Sequence, residues 1–201
     1  MMKEMQGSGD YATATLNTRG LIAEALGLEG RYHVICRDSN GMIKWEEDFP
    51  NQVVQAGKIL MMNNTLFSQT AIVGPYLGLV SGTGNTFSPT DTMATHAGWT
   101  EFTAYTTTGA NRGTATFVTA TGNAVTTPGS NIVTSTAGAV TYTITAPGGT
   151  VGGCFLVTGT GAVATISSTL GTLWSAGAFG TAKVTTAGDT VAVTYSSTAT
   201  S

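Results

Sequence analysis

Arg31-Tyr32-His33-Val34-Ile35-Cys36-Arg37, then Asp38-Ser39-Asn40-Gly41, then Met42-Ile43-Lys44-Trp45-Glu46-Glu47-Asp48-Phe49 is the stretch whose reading decides the fold class. Tyr32, Val34 and Cys36 alternate with His33, Ile35 and Arg37, the period of two that sends successive side chains to opposite faces of a strand. The Asp-Ser-Asn-Gly run supplies residues that tolerate positive φ and close a hairpin. The segment after it runs back as the partner strand.

Working outward, several later stretches show the same alternation: Thr114 to Thr121, Val140 to Ala146, Gly152 to Gly159 and Thr190 to Ser197. Gly, Pro and Asn punctuate them at Gly122-Asn123, Pro128-Gly129-Ser130-Asn131 and Pro147-Gly148-Gly149. Ala71 to Ser81 reads as a buried strand, followed by a polar loop from Gly82 to about Thr92. Short strands at this spacing predict a mainly β chain, a β-sandwich or jelly roll. One helix is expected between Gln52 and Phe67, with Val53, Val54, Ile59, Leu60, Met61 and Leu66 near helical spacing and Gly57 as a weak point. Residues 1–28 are read as an N-terminal arm and 29–201 as the β domain. Asn17 or Thr18 caps a short helix in that arm, with Leu21, Ile22, Ala25 and Leu26 as its apolar side and Gly27 as its close.

Charge divides the chain in the same way. Of its 19 charged residues, 13 lie between Lys3 and Asp48, and only Lys183 and Asp189 lie beyond Gly113. A surface wetted by Thr, Ser and Asn suits a pleated sheet, because Thr is β-branched and stiff at χ1. The net charge of −3 and pI near 5.2 give no basic footprint for nucleic acid. No run reaches the ~20 apolar residues that span a bilayer, and the first ten residues lack the pattern of a signal peptide. Cytoplasmic synthesis is the expectation. Cys36 and Cys154 have no metal-ligand spacing and are expected to be small buried residues.

The chemistry-bearing residues form no catalytic constellation, and no enzymatic activity, metal or cofactor is expected. His33 reads as a satisfied strand residue. His96, between Asp91 and Glu101 and near Trp99, has the makings of a base with an orienting carboxylate, but no nucleophile motif accompanies it, so a hydrogen bond that pins the loop is the better reading. Glu46 and Glu47 point to opposite faces of a strand and cannot flank one glycosidic bond. The glycine-rich Ser81-Gly82-Thr83-Gly84-Asn85 lacks the Lys-Ser/Thr of a phosphate loop. Trp45, Trp99 and Trp174 are core plugs or interface anchors.

One ordered set of signatures carries a resemblance. It consists of "IKWEEDFPNQVVQAGK", "ILMMNNTLF", "YLGLVSG", "DTMATHAGWTEFTAY" and "GTLWSAGAFGTAKVTTAGDTVAVTYS". Over residues 29 to 201 it resembles small virion proteins of tailed bacteriophages, the capsid cement or decoration proteins. The resemblance implies a jelly-roll-like β-sandwich domain on the outside of a shell, bridging major capsid subunits, present as a homo-oligomer and made in the cytoplasm of the bacterial host. Arg19, Leu21, Ile22, Arg31, Arg37, Trp45 and Trp99 are the expected partner contacts. A tail or head-surface module that contacts host glycan or a receptor is the alternative, with Gly82 to Tyr105 as the loop that has suitable residues.

Overall fold

The computed structural model describes residues 27–66, 72–107, 109, 111–117, 124–126 and 138–200. The arm residues Arg19, Leu21 and Ile22 and the alternating stretch beyond Phe117 lie outside the described residues.

The hairpin forms as its sequence dictates. Strands β1 (Gly27–Arg37) and β2 (Ile43–Val53) pair antiparallel, with Tyr32 opposite Phe49 and Val34 opposite Glu47. In the turn, Asp38 Oδ1 accepts the N–H groups of Asn40 and Met42, each at 2.9 Å, and Gly41 takes φ 84°. β1 begins at Gly27, the residue expected to close the arm helix, and its first partner is Thr200.

Helix α1 (Gln55–Leu66) starts later than its sequence pattern suggests. Gln52 and Val53 finish β2 instead, where they pair with Ala176 and Ser175. Gly57, the expected weak point, answers a packing need. A Cβ there would sit 2.7 Å from the Trp174 carbonyl oxygen, so its absence lets the helix lie flat on the strand beneath.

The remaining strands are β3 (Tyr76–Ser81), β4 (Thr100–Phe102), β5 (Tyr105–Thr106), β6 (Gly113–Thr114), β7 (Ala124–Thr126), β8 (Val140–Ile144), β9 (Gly149–Thr158), β10 (Thr172–Thr185) and β11 (Thr190–Thr200). The expected strand from Ala71 is shorter, since Gly74 takes φ 91° and Pro75, which has no N–H, precedes β3. All pairings are antiparallel, in the order β4-β3-β9-β10-β2-β1-β11-β8-β5, with β6 added to β3 and β7 to β11. The terminal strands β4 and β5 are separated in the chain only by Thr103 and Ala104, so the path returns almost to its start. The fold is therefore mainly β, a nearly closed antiparallel sheet. A path bent back on itself leaves little unpaired edge.

The main core takes Tyr32, Val34 and Cys36 from β1, Leu77 and Leu79 from β3, Cys154 and Leu156 from β9, and Val191, Val193 and Tyr195 from β11. A second core uses the other faces of β3 and β9, through Val80, Phe155 and Val157, against Met93 and Trp99 of the long loop and Val54. β9 is consequently buried on both faces, which explains its nearly unbroken apolar run. Both cysteines are free and buried. Burial pushes the Cys36 thiol up to about 12.

Candidate functional site

The 82–99 loop, β4 and the 165–170 turn meet over an ion pair removed from water. Arg112 is 2% exposed. Its Nε and Nη2 donate to Oε1 and Oε2 of Glu101, both at 2.8 Å, the two-pronged geometry that suits a planar guanidinium and a carboxylate. Nη2 also donates to the Ser168 carbonyl at 2.8 Å, and the guanidinium carbon lies 5.1 Å from the centre of the Phe155 ring. The remaining nitrogen, Nη1, is buried and has no hydrogen-bond partner.

Glu101 collects further donors. The Ser167 N–H reaches Oε2 at 2.7 Å, and the Tyr105 hydroxyl donates to Oε1 at 3.5 Å. Ser167 holds φ at 63°, the one described residue other than glycine in the left-handed region. The Tyr105 hydroxyl is raised well above its ordinary range, first by burial and then by the negative charge of Glu101. The ion pair thus ties β4 and the nearby Arg112 segment to the 165–170 turn, more than fifty residues further along the chain.

Beside it, the His96 ring stacks on Trp99 with centroids 3.9 Å apart, and His96 Nδ1 lies 3.1 Å from the Trp99 carbonyl oxygen. Trp99 Nε1 donates to Asp91 Oδ2 at 3.1 Å, and the same carboxylate oxygen accepts the Ser88 N–H. Asp91 and Glu101 are therefore spent on Trp99 and Arg112, and neither orients His96. The hydrogen bond that pins the loop, expected from the sequence, is the one observed. His96, Trp99, Glu101 and Arg112 line a cleft of about 290 Å³ with Thr100, Ser167, Ser168 and Thr169 at its wall.

The expected partner contacts among the described residues are dispersed. Arg31 is exposed and bonded to Asp48. Arg37 donates to the Gly41 carbonyl within its own hairpin. Trp45 is half-buried, edge-on to Phe179 at 5.6 Å. Trp99, at 3% exposure, is a core plug and has no surface to offer a partner, which corrects its assignment as an interface anchor. His33 bonds Glu46 at 2.8 Å and Glu47 bonds Lys183 at 2.6 Å, so the adjacent carboxylates do face different neighbours.

Arg112, Ser167 and Ser168 were not anticipated. The signal for Arg112 was its isolation, as the one Lys or Arg between Lys58 and Lys183. A lone charge in a stretch so poor in charge is conspicuous when burial with a partner is considered.

A second cleft, of about 350 Å³, lies beside α1 and is almost wholly apolar, with Leu60, Met61, Ile72, Phe117 and Trp174 in its wall. Among the described residues, no group of three or more His, Cys, Asp or Glu is placed to hold a metal, and no helix is long and apolar enough to cross a membrane. No family model, no curated protein and no solved structure matches the chain.

Proposed function

We propose that this chain is a structural virion protein of a tailed bacteriophage, a jelly-roll-like cement module that binds the outside of the capsid and bridges major capsid subunits. The observation that carries the reading is the outward row on α1. Ile59, Met62 and Leu66 stand three and four residues apart, on one side of the helix, and are 51%, 51% and 76% exposed. Ile72, 54% exposed, lines the apolar cleft on another side of the same helix, with Leu60 and Met61. A helix that turns this stripe toward water is unusual, since burial of such a stripe is what ordinarily stabilises a helix in a protein. Exposed contiguous apolar surface marks contact with another chain.

The distribution of charge supports the same reading. Arg31, His33, Lys44, Arg112 and Lys183 each pair with a carboxylate of this chain. The described ionisable groups are largely committed to holding the fold, and an assembly role needs no free acid or base. Each copy that ties neighbouring subunits adds a modest interface. Multiplied over many copies, such interfaces make disassembly rare.

The test is sedimentation of purified protein with expanded shells that lack it. Saturation near one bound copy per major capsid subunit is expected. Met62→Glu and Leu66→Asp, on exposed positions, leave the fold intact and reduce the bound copies severalfold. A handful of copies per particle, or binding indifferent to both substitutions, would overturn the reading.

A further inference from the structure

We infer that the cleft over Arg112 and Glu101 is a binding site for a single neutral sugar unit of a polysaccharide. The inference is independent of attachment to a shell through α1, and it rests on three features of the cleft.

The first is the wall. Thr100, Ser167, Ser168 and Thr169 present hydroxyl side chains, and the His96 ring lies among them on its Trp99 support. Hydroxyls both donate and accept, which matches a polyol whose own hydroxyls do the same. A volume of about 290 Å³ stands at the lower end of ligand cavities, enough for one ring and little more.

The second is charge. The titratable side chains that line the cleft are His96, Glu101 and Arg112. Arg112 and Glu101 neutralise one another through two bonds of 2.8 Å. A ligand carboxylate would meet Glu101, and a ligand ammonium would meet Arg112. A neutral ligand meets neither penalty, so the class is a neutral hexose or N-acetylhexosamine and not a uronic acid.

The third is the unused donor. Arg112 is nine-tenths buried and more, and its Nη1 has no partner. Buried donors left in this state are rare and costly. A sugar oxygen that draws close as the cleft adjusts would supply the missing acceptor. Ser167 in its strained conformation sits on the same rim, as strained residues at ligand clamps do.

The experiment is a titration of the ¹⁵N-labelled full chain with the methyl glycosides of glucose, galactose, mannose and N-acetylglucosamine, with glucuronic acid as the anionic control. Saturable shifts of the His96, Thr100, Ser167 and Ser168 amides with at least one neutral glycoside are expected. His96→Ala and Thr169→Val, each confirmed as folded by its own spectrum, should weaken that binding by tenfold or more. Absence of saturable shifts at these amides with every neutral glycoside at about 50 mM, far above a millimolar Kd, overturns the inference. So does tighter binding of glucuronic acid, or a Kd unchanged in both variants.

Discussion

β9 and the β1–β2 hairpin belong to one sheet and treat charge in opposite ways. Both faces of β9 are buried, and the charged pair on its covered side, Arg112 with Glu101, keeps 1% and 8% of its side-chain surface. In the hairpin, β1 is covered from Tyr32 to Cys36, but the pair at its open end, Arg31 with Asp48, keeps 56% and 53%. The same chemistry therefore has two roles. Under the 82–99 loop an ion pair is a structural joint whose partners cannot be parted cheaply, whereas on the hairpin it is a surface feature that water can replace.

The comparison breaks most readily at Arg112. Arg112→Ala leaves Glu101 buried without its cation, and loss of one partner of a buried pair costs about 3–5 kcal/mol. Urea denaturation should show that loss as a lower midpoint with an unchanged slope. A loss below about 1 kcal/mol would mean that water reaches Glu101, and the contrast with the hairpin would disappear.

Glycine-to-alanine exchanges sharpen the same contrast without touching charge. Gly78 of β3 pairs with Phe155, and an added Cβ would fall 2.3 Å from two atoms of that ring. Phe155 is fixed in turn by Trp99 at 5.1 Å and by Arg112, so Gly78→Ala is expected to cost about 1–3 kcal/mol through overpacking. Gly180 of β10 has nothing within 4 Å of the corresponding position. Gly180→Ala should stabilise by about 0.4–1 kcal/mol by restricting the unfolded chain. Thermal midpoints that move in opposite directions bear out the packing difference, and a shared direction rejects it.

These two glycines also show what the sequence could disclose. The hairpin was legible because both its signals are local: a period of two and a turn whose Asp38 caps its own backbone. β8 and β11 were legible for the same reason, whereas β9, buried on both faces, carries an apolar run in place of a period of two. β10 was not, because Ser175-Ala176-Gly177-Ala178 has no contrast between faces, and its register with β9 shifts between Ala178 and Lys183. Closure of the sheet was hidden too, since β4 and β5 are three and two residues long. At the cleft, His96, Trp99 and Glu101 were legible as a cluster, but the partner of Glu101 was not. Arg112 reaches it only because the chain folds back through β5 and the residues after it, a return over eleven residues that carries no periodic pattern.

Lys44 and Asp189 lie between the two extremes. Lys44 Nζ donates to Asp189 Oδ2 at 2.6 Å, with side-chain exposures of 30% and 3%. Burial alone would raise the Asp189 carboxyl, but the hydrogen bonds from Lys44 and from the Thr186 N–H outweigh it and hold the group below its usual range. The stability linked to this group is accordingly present above the unfolded carboxyl value, near pH 4, and is lost as pH falls through the lowered folded value. Lys44→Met removes the main opposing donor, so the folded value rises and the acid limb moves to higher pH. At neutral pH the loss should be about 1–2 kcal/mol. Urea midpoints at pH 3, 5 and 7 check this, and an acid limb that stays in place would show that the Thr186 N–H alone holds Asp189.

The smallest effect on stability is expected at Arg31, and it separates the two roles of charge most clearly. Arg31→Ala removes an exposed pair, worth about 0.2–1 kcal/mol and weakened further by salt. If the hairpin face meets a complementary patch on a shell, the same change acts on a different quantity. Charges at the rim of an interface alter capture rate and its dependence on salt more than they alter affinity. The expected result is a urea midpoint nearly that of the parent, with slower binding to shells at low salt and a difference that closes as salt is raised. A loss of stability above about 2 kcal/mol would place Arg31 in the same covered class as Arg112. Equal binding rates at every salt concentration would leave the pair a purely local feature of the hairpin, and the shell contact would then rest on the apolar row of α1 alone.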